Sequence, residues 1–176
     1  MREQLRDTVF WVVTLLHSVL GTCNRLRTAS SAEKDKRLYG FGYNGSLPGL
    51  PHCDDVGHLL IEGHCLRTRH GERNLIDNTQ DEHLRGSRVR VIATPCINCV
   101  KDLAAKEVRE IFFTGSYANA LGKEFIEEIC AQKEIALQQV PVDWQEALQT
   151  ILDRLSEPGG ILYNSGYKLR VVKEKL

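Results

Sequence analysis

His70-Gly71-Glu72 and, further along the chain, Pro95-Cys96-Ile97-Asn98-Cys99 have the residue types and spacing of a metal site that can do chemistry. A catalytic zinc takes three protein ligands and keeps a fourth place open for water. His70, Cys96 and Cys99 offer one nitrogen and two sulfurs. Two cysteines three positions apart project from one face of a helical turn, and thiolates that open a helix are stabilised by its N-terminal partial charge. Glu72 is left over as a carboxylate. Residues two apart point to nearly opposite sides of a helix, so His70 and Glu72 converge only if a helix begins there and aims its end at the metal. Glu72 then stands beside the water as a proton carrier. In the competing reading, a closed Cys/His zinc site, Glu72 is an ordinary surface charge. Cys-x-x-Cys alone is shared with redox pairs and zinc ribbons; the upstream His-x-Glu, a helix and a strand between them make the pattern specific.

The elements that must position these residues follow from periodicity. Leu5, Val9, Val12, Leu16 and Val19 repeat at amphipathic-helix spacing, stopped by Gly21. Leu26–Ser31 reads as a first strand, polar for that role, with Ala32–Lys36 as a charged turn and Leu38–Tyr43 as the returning strand. Pro51–Arg69 is a long connection dense in His and Cys, and loops of that length are usually functional. A helix over Gly71–Asp77, a strand over Val89–Ala93 and a helix over Cys96–Lys106 carry the two motifs. Glu110–Thr114 and Ile135–Val140 are further strands flanking a helix over Ala120–Gln132. This order predicts an α/β fold with a mixed five-stranded sheet covered by helices. Beyond Pro141, a helix over Trp144–Leu155 and a hairpin of Ile161–Tyr163 with Tyr167–Val172 form a C-terminal appendix. The division expected is a domain over 1–141 and an extension over 142–176 packed on it.

With 176 residues the chain suits one core-bearing domain. Its 23 basic and 23 acidic residues cancel, which disfavours a nucleic-acid partner and favours a small substrate. The apolar run Thr8–Leu20 is too short to span a bilayer. No secretory signal precedes the six cysteines, so they read as metal ligands or core residues in a reducing, cytoplasmic compartment.

His-x-Glu with Pro-Cys-x-x-Cys is the signature of the zinc deaminases. Gly42-Tyr43-Asn44-Gly45, Pro51-His52-Cys53-Asp54 and Glu62-Gly63-His64-Cys65 leading into His70-Gly71-Glu72 narrow the match. Together they resemble the deoxycytidylate (dCMP) deaminase family of the cytidine-deaminase-like superfamily, in its bacterial competence-operon type, over roughly residues 1–141. The resemblance implies a three-layer α/β/α fold and hydrolysis of dCMP to dUMP and ammonia. His70, Cys96 and Cys99 align with the zinc ligands and Glu72 with the proton shuttle. Asn44 aligns with an asparagine that reaches the nucleoside, although Asn-Gly is also a favoured turn pair. Tyr117 resembles a pocket tyrosine lying against the pyrimidine; by residue type alone it reads equally as a half-buried loop aromatic. For the phosphate, Arg25, Arg27, Arg67 and Arg69 are the nearby cations, each also readable as solvated surface charge.

Some relatives carry a second, structural zinc, and Cys23 and Cys53 match its cysteines. His64 is taken as the third ligand, with His58 and Cys65 both open as the fourth. His17, His83 and Cys130 read as structural, and His52 is ambiguous. The family also implies a homo-oligomer, dimer or hexamer, with dCTP and dTTP as effectors. Three departures stand out. Gly71 replaces the usual alanine, which should remove a methyl from the pocket lining; the first strand lacks the usual Gly-Ala pattern; the appendix has no counterpart. The same residues also admit a deaminase of a nucleoside, a free base or a base within nucleic acid, or a non-catalytic accessory protein with this fold.

Overall fold

The computed structural model describes residues 1–115 and 122–174. Its elements are, in order, α1 (Arg2–Ser18), β1 (Ala29–Lys34), β2 (Arg37–Tyr43), α2 (Cys53–Val56), β3 (Leu60–Ile61), β4 (His64–Cys65), α3 (Gly71–Asp77), α4 (Asp81–Leu84), β5 (Arg88–Val91), α5 (Ile97–Ala105), β6 (Glu110–Phe113), α6 (Lys123–Gln132), β7 (Ala136–Gln139) and α7 (Trp144–Ser156). They fall into two compact units, Val13–Val140 and Met1–Val12 with Pro141–Leu176.

In the larger unit the strands are ordered β2-β1-β5-β6-β7. β1 is antiparallel to both β2 and β5, whereas β5, β6 and β7 run parallel, so the sheet is mixed as expected. The charged turn is shorter than the sequence implied. β1 continues to Lys34, and Asp35 and Lys36 alone reverse the chain, at φ 50° and 64°. Positive φ at both central residues is the turn geometry whose twist matches a two-residue hairpin. The start of the next-to-last sheet helix, expected at Ala120, lies outside the described residues; α6 is seen from Lys123.

One sheet face is apolar. Ala32, Val89, Val91 and Ile111 form a continuous core with Leu75 of α3, Leu84 of α4, Val100 and Leu103 of α5, and Ile126 of α6. Each of the Val, Leu and Ile side chains, fully buried, is worth about 1.5–3 kcal/mol, which holds α3 and α5 against the same strands. Gly42 allows the closest approach. A Cβ there would run into the Gly71 carbonyl and the Leu75 backbone nitrogen.

Strand alternation turns Arg88 and Arg90 to the opposite face. Arg88 stands between Glu33 and Glu110 in register. Arg90, 1% exposed, donates to Glu33 Oε2 at 2.6 Å, and Arg88 pairs with Glu110 while its guanidinium lies 4.5 Å from the Phe112 ring centre. The polar first strand is explained on this face too, since Ser31 Oγ bonds Thr14 Oγ1 of α1 at 2.7 Å.

In the smaller unit α7 is capped by Asp143, whose Oδ1 accepts the Glu146 N–H at 3.1 Å. The hairpin expected after it does not form among the described residues. The backbone of 160–165 closes turns, with Tyr163 N–H on the Gly160 carbonyl and Ser165 N–H on the Leu162 carbonyl. Val171 N–H then goes to Gln149 Oε1 at 2.8 Å, and the Leu169 and Val171 carbonyls face the side-chain amides of Gln149 and Gln145. Two glutamines one turn apart on a helix supply the partners a second strand would have given.

Burial pushes the Glu110 carboxyl up, but its bonds and charge contacts with Arg88 and Arg109 outweigh that and hold it below the usual value. A depressed folded-state pKa stabilises the fold fully above the unfolded value, and the contribution fades as pH falls through the folded one. Glu110→Gln is therefore expected to lose roughly 1–2 kcal/mol at neutral pH. The gap to wild type should close on acidification past the carboxylate range, read by chemical denaturation as a function of pH. A gap independent of pH would contradict this role.

Candidate active site

Both ligand-bearing segments end at helix starts, which solves the convergence problem posed by the sequence. His70 is the extended N-cap of α3 (φ −69°, ψ 149°), and Gly71 and Glu72 are its first helical residues. Cys96 is the extended N-cap of α5 (φ −79°, ψ 163°), and Cys99 lies in its first turn. His70 Nδ1 is 3.5 Å from Cys96 Sγ and 3.4 Å from Cys99 Sγ. The three donor atoms all lie within 4.8 Å of one another. Glu72 is 4% exposed, and its carboxylate is reached by the Cys99 thiol.

The protonation pattern fits a cation site. Cys96 is pulled down to about 3, first by its hydrogen bond with Cys99 and then by His70. Cys99 is pushed up by the same bond and by burial, so the two sulfurs share one proton. The bond to Cys96, followed by the charge of Glu72, raises His70. Burial raises Glu72, partly offset by His70. One imidazole and two sulfurs that hold protons only by sharing them are a donor set for zinc, which binds by displacing those protons.

Glu72, His70 and Cys96 open onto a cavity of about 110 Å³ that also touches Thr28, Asn44, Val91, Ala93 and Thr94. Ala93 is held at φ 125°, a costly conformation for a non-glycine residue, in the turn that delivers Pro95 and Cys96. Its N–H donates to Thr114 Oγ1 at 3.1 Å. Sequence reading did not find Ala93; nothing in its residue type marks the strain. A larger groove of about 740 Å³ is lined by Leu47, Leu50, Leu59, Leu66, Arg73 and Asp102 among others, and it contains none of the three donors.

Asn44 touches the cavity, but both ends of its amide are engaged within the protein. Oδ1 accepts the buried Gly71 N–H at 2.7 Å, and Nδ2 donates to the Leu26 carbonyl at 3.1 Å. It thus caps α3 and ties the helix to the loop after α1. Gly71 does not shape the cavity as expected. A Cβ there would face Gly42 O at 3.1 Å, Tyr43 Cα at 3.3 Å and Ala29 Cα at 3.4 Å, that is, the sheet. Its missing methyl brings helix and hairpin together. Tyr117 lies outside the described residues.

A second cluster joins Cys23, Cys53, His58 and Cys65, again with donors within 4.8 Å. Cys53 Sγ is 3.5 Å from Cys65 Sγ, and His58 Nδ1 is 3.7 Å from Cys23 Sγ and 3.8 Å from Cys65 Sγ. Asn24 Oδ1 holds His58 Nε2 at 2.8 Å, fixing the ring from behind. Burial pushes Cys65 up, but bonds from Thr68, Cys53 and His58 prevail and leave it at about 6. His64, the expected third ligand, is not among the donors that converge. His64 and Cys65 are neighbours in β4, so they point to opposite faces. Cys65 joins the cluster and His64 does not, and both line the cavity that holds Glu72. Strand alternation could have excluded one of the two from sequence, but not said which.

The remaining sequence candidates are sorted by place. Arg25 lines the cavity and donates to Gly63 O at 2.8 Å. Arg27 donates to Gly21 O at 3.0 Å and pairs with Asp54 at 3.8 Å. Arg67 and Arg69 line the larger groove. His17 stacks on Phe41 and His83 on Tyr39, each with ring centres 4.0 Å apart, and Cys130 is in the core. His52 Nδ1 is 2.9 Å from Thr22 Oγ1.

No family model matches the chain. ComE operon protein 2 of Bacillus subtilis (strain 168) is 31% identical over 136 residues, 76% of this chain and 70% of that protein. The deoxycytidylate deaminase of Mycobacterium phage D29 is 24% identical over 119 residues, 61% of this chain and 92% of that protein. Among solved structures, the dCMP deaminase of cyanophage S-TIM5 in complex with dCMP and dUMP is similar in fold. It has a TM-score of 0.64 at 17% identity, covering 80% of this chain and 99% of that one.

Asn44→Ala should leave the Gly71 N–H buried and unpaired and lower stability by about 1–3 kcal/mol, while Asn44→Asp, which keeps the acceptor, should lose less. Equal losses by chemical denaturation would show that the cap contributes nothing.

Proposed function

This chain belongs to the cytidine/dCMP deaminase-like superfamily as a zinc-type deaminase, and we propose that it hydrolyses the 4-amino group of dCMP, giving dUMP and ammonia. The observation that carries this is a fully buried carboxylate, Glu72, placed beside three convergent donors at the floor of a small cavity. A closed structural site has no use for such a carboxylate.

His70, Cys96 and Cys99 would hold the zinc, which when bound makes a water nucleophilic near neutral pH. Glu72 takes up the proton that water gives away, and its burial suits this, because a raised pKa lets a carboxyl both accept and return a proton. It delivers that proton to ring N3, which makes C4 electrophilic to the water oxygen, then carries the remaining proton from the new C4 hydroxyl to the amine as the C4–N bond breaks, so water enters and ammonia leaves in balance. Asn44, Tyr117 and the cavity wall orient the nucleoside in this reading. Arg25 and His64, both on that wall, are suited to face the phosphate.

Cys23, Cys53, His58 and Cys65 supply the four donors of a closed, structural zinc. Assembly into a homo-oligomer and control by dCTP and dTTP belong to the same reading and rest on the resemblance; a cytoplasmic location rests on reading the cysteines as ligands and core residues of a reducing compartment. Among the described residues no helix is long and apolar enough to cross a membrane.

Ammonia release is expected from dCMP in preference to deoxycytidine, cytosine, dCTP and single-stranded DNA. Glu72→Ala should retain zinc and lose turnover on the order of 10²–10⁴-fold. Undiminished release from that variant removes Glu72 from the chemistry, and preference for another substrate in the series moves the specificity. Metal analysis should give two zincs per chain, one after Cys65→Ser and two after His64→Ala. A second zinc that depends on His64 would overturn the cluster as assigned.

A further inference from the structure

The three donors come from two separate helices, and a metal site tolerates only about 0.5 Å of misplacement. Something must fix the start of α3 against the start of α5. The apolar core beneath them does so in part, through Leu75 and Val100. Above it, Arg73 Nε donates to Asp102 Oδ2 at 2.6 Å. Arg73 directly follows Glu72, and Asp102 lies one helical turn beyond Cys99. The guanidinium is close enough for its charge to act on both His70 and Cys99. Arg73 lines the larger groove and not the cavity holding Glu72, so it does not face the reacting atoms.

We propose that Arg73, through its ion pair with Asp102, is a positioning residue that locks α3 to α5 and sets how tightly His70, Cys96 and Cys99 hold zinc. The inference rests on the zinc reading of that triad. Both side chains are 42% exposed, and exposed pairs contribute only about 0–1 kcal/mol to folding. The consequence of this pair therefore lies in ligand geometry and not in the stability of the fold. The same helix offers a control. Lys106 at the far end of α5 bonds Asp81 of α4 at 2.7 Å, an ion pair of the same kind with no metal donor beside it.

The test is zinc release from the full chain by a chelator of known affinity, with Cys96→Ser used to identify which released zinc belongs to the triad. Arg73→Met and Asp102→Asn are each expected to weaken that zinc about 2–5-fold, the range an exposed pair can transmit. The double variant should weaken it no further than the stronger single one, and the exchange Arg73→Asp with Asp102→Arg should recover most of the loss. Lys106→Met should release zinc as wild type does, and thermal midpoints of the metal-free proteins should stay together. Wild-type zinc affinity in either single variant, additive losses in the double variant, or an equal loss in Lys106→Met would each overturn the proposal. If the wild type and Cys96→Ser release the same zinc, the triad binds none. That result sinks the zinc reading itself, a failure distinct from zinc that binds without regard to Arg73.

Discussion

The seating of α3 directly on the β1–β2 hairpin is the constraint on which the rest depends. Two glycines meet there. Gly42 in the strand lets the helix backbone come within a distance no side chain could share, and Gly71 at the helix start returns the courtesy toward Tyr43 and Ala29. Asn44 then anchors the helix by its first free N–H. With the helix start fixed in this way, His70 leaves the chain as an extended cap and Glu72 follows within the first turn. The two side chains therefore reach one place despite their unfavourable spacing.

Burial gives that geometry its chemistry. A carboxyl with almost no exposure, two sulfurs sharing a proton and an imidazole drawn toward its charged form put protons where a metal ion would take their place. Groups held so close in a dry setting interact strongly, and a divalent ion binds there by displacing those protons. The opposite sheet face makes a different use of charge. There Arg88 and Arg90 find Glu33 and Glu110 within the protein, so the ions are paired instead of left to a ligand.

Much of this could be read from the residues. His-x-Glu and Cys-x-x-Cys dictate their donors by type, and the requirement that His70 and Glu72 converge dictates a helix start. The alternation of strand and helix after Val89 dictates a sheet with a parallel half. Other features depended on contacts between distant segments. Asp35 and Lys36 make a tight turn though neither is glycine or asparagine, so β1 ran longer than its composition indicated. The tail after α7 has strand-like residues, yet Gln145 and Gln149 offer their amides first. The Arg73–Asp102 pair joins residues 29 apart in sequence, and no local pattern marks either one.

The two-pair ribbon of β3 and β4 carries a consequence larger than its size. Leu60 faces Cys65 and Ile61 faces His64, so a slip of one residue would reverse both side chains at once. The cluster would trade a sulfur for an imidazole. A ladder this short has little register preference of its own. Capture of Cys65 by its three distant partners is what proofreads the alignment, and a ribbon of two pairs thereby takes its register from side chains that lie beyond it.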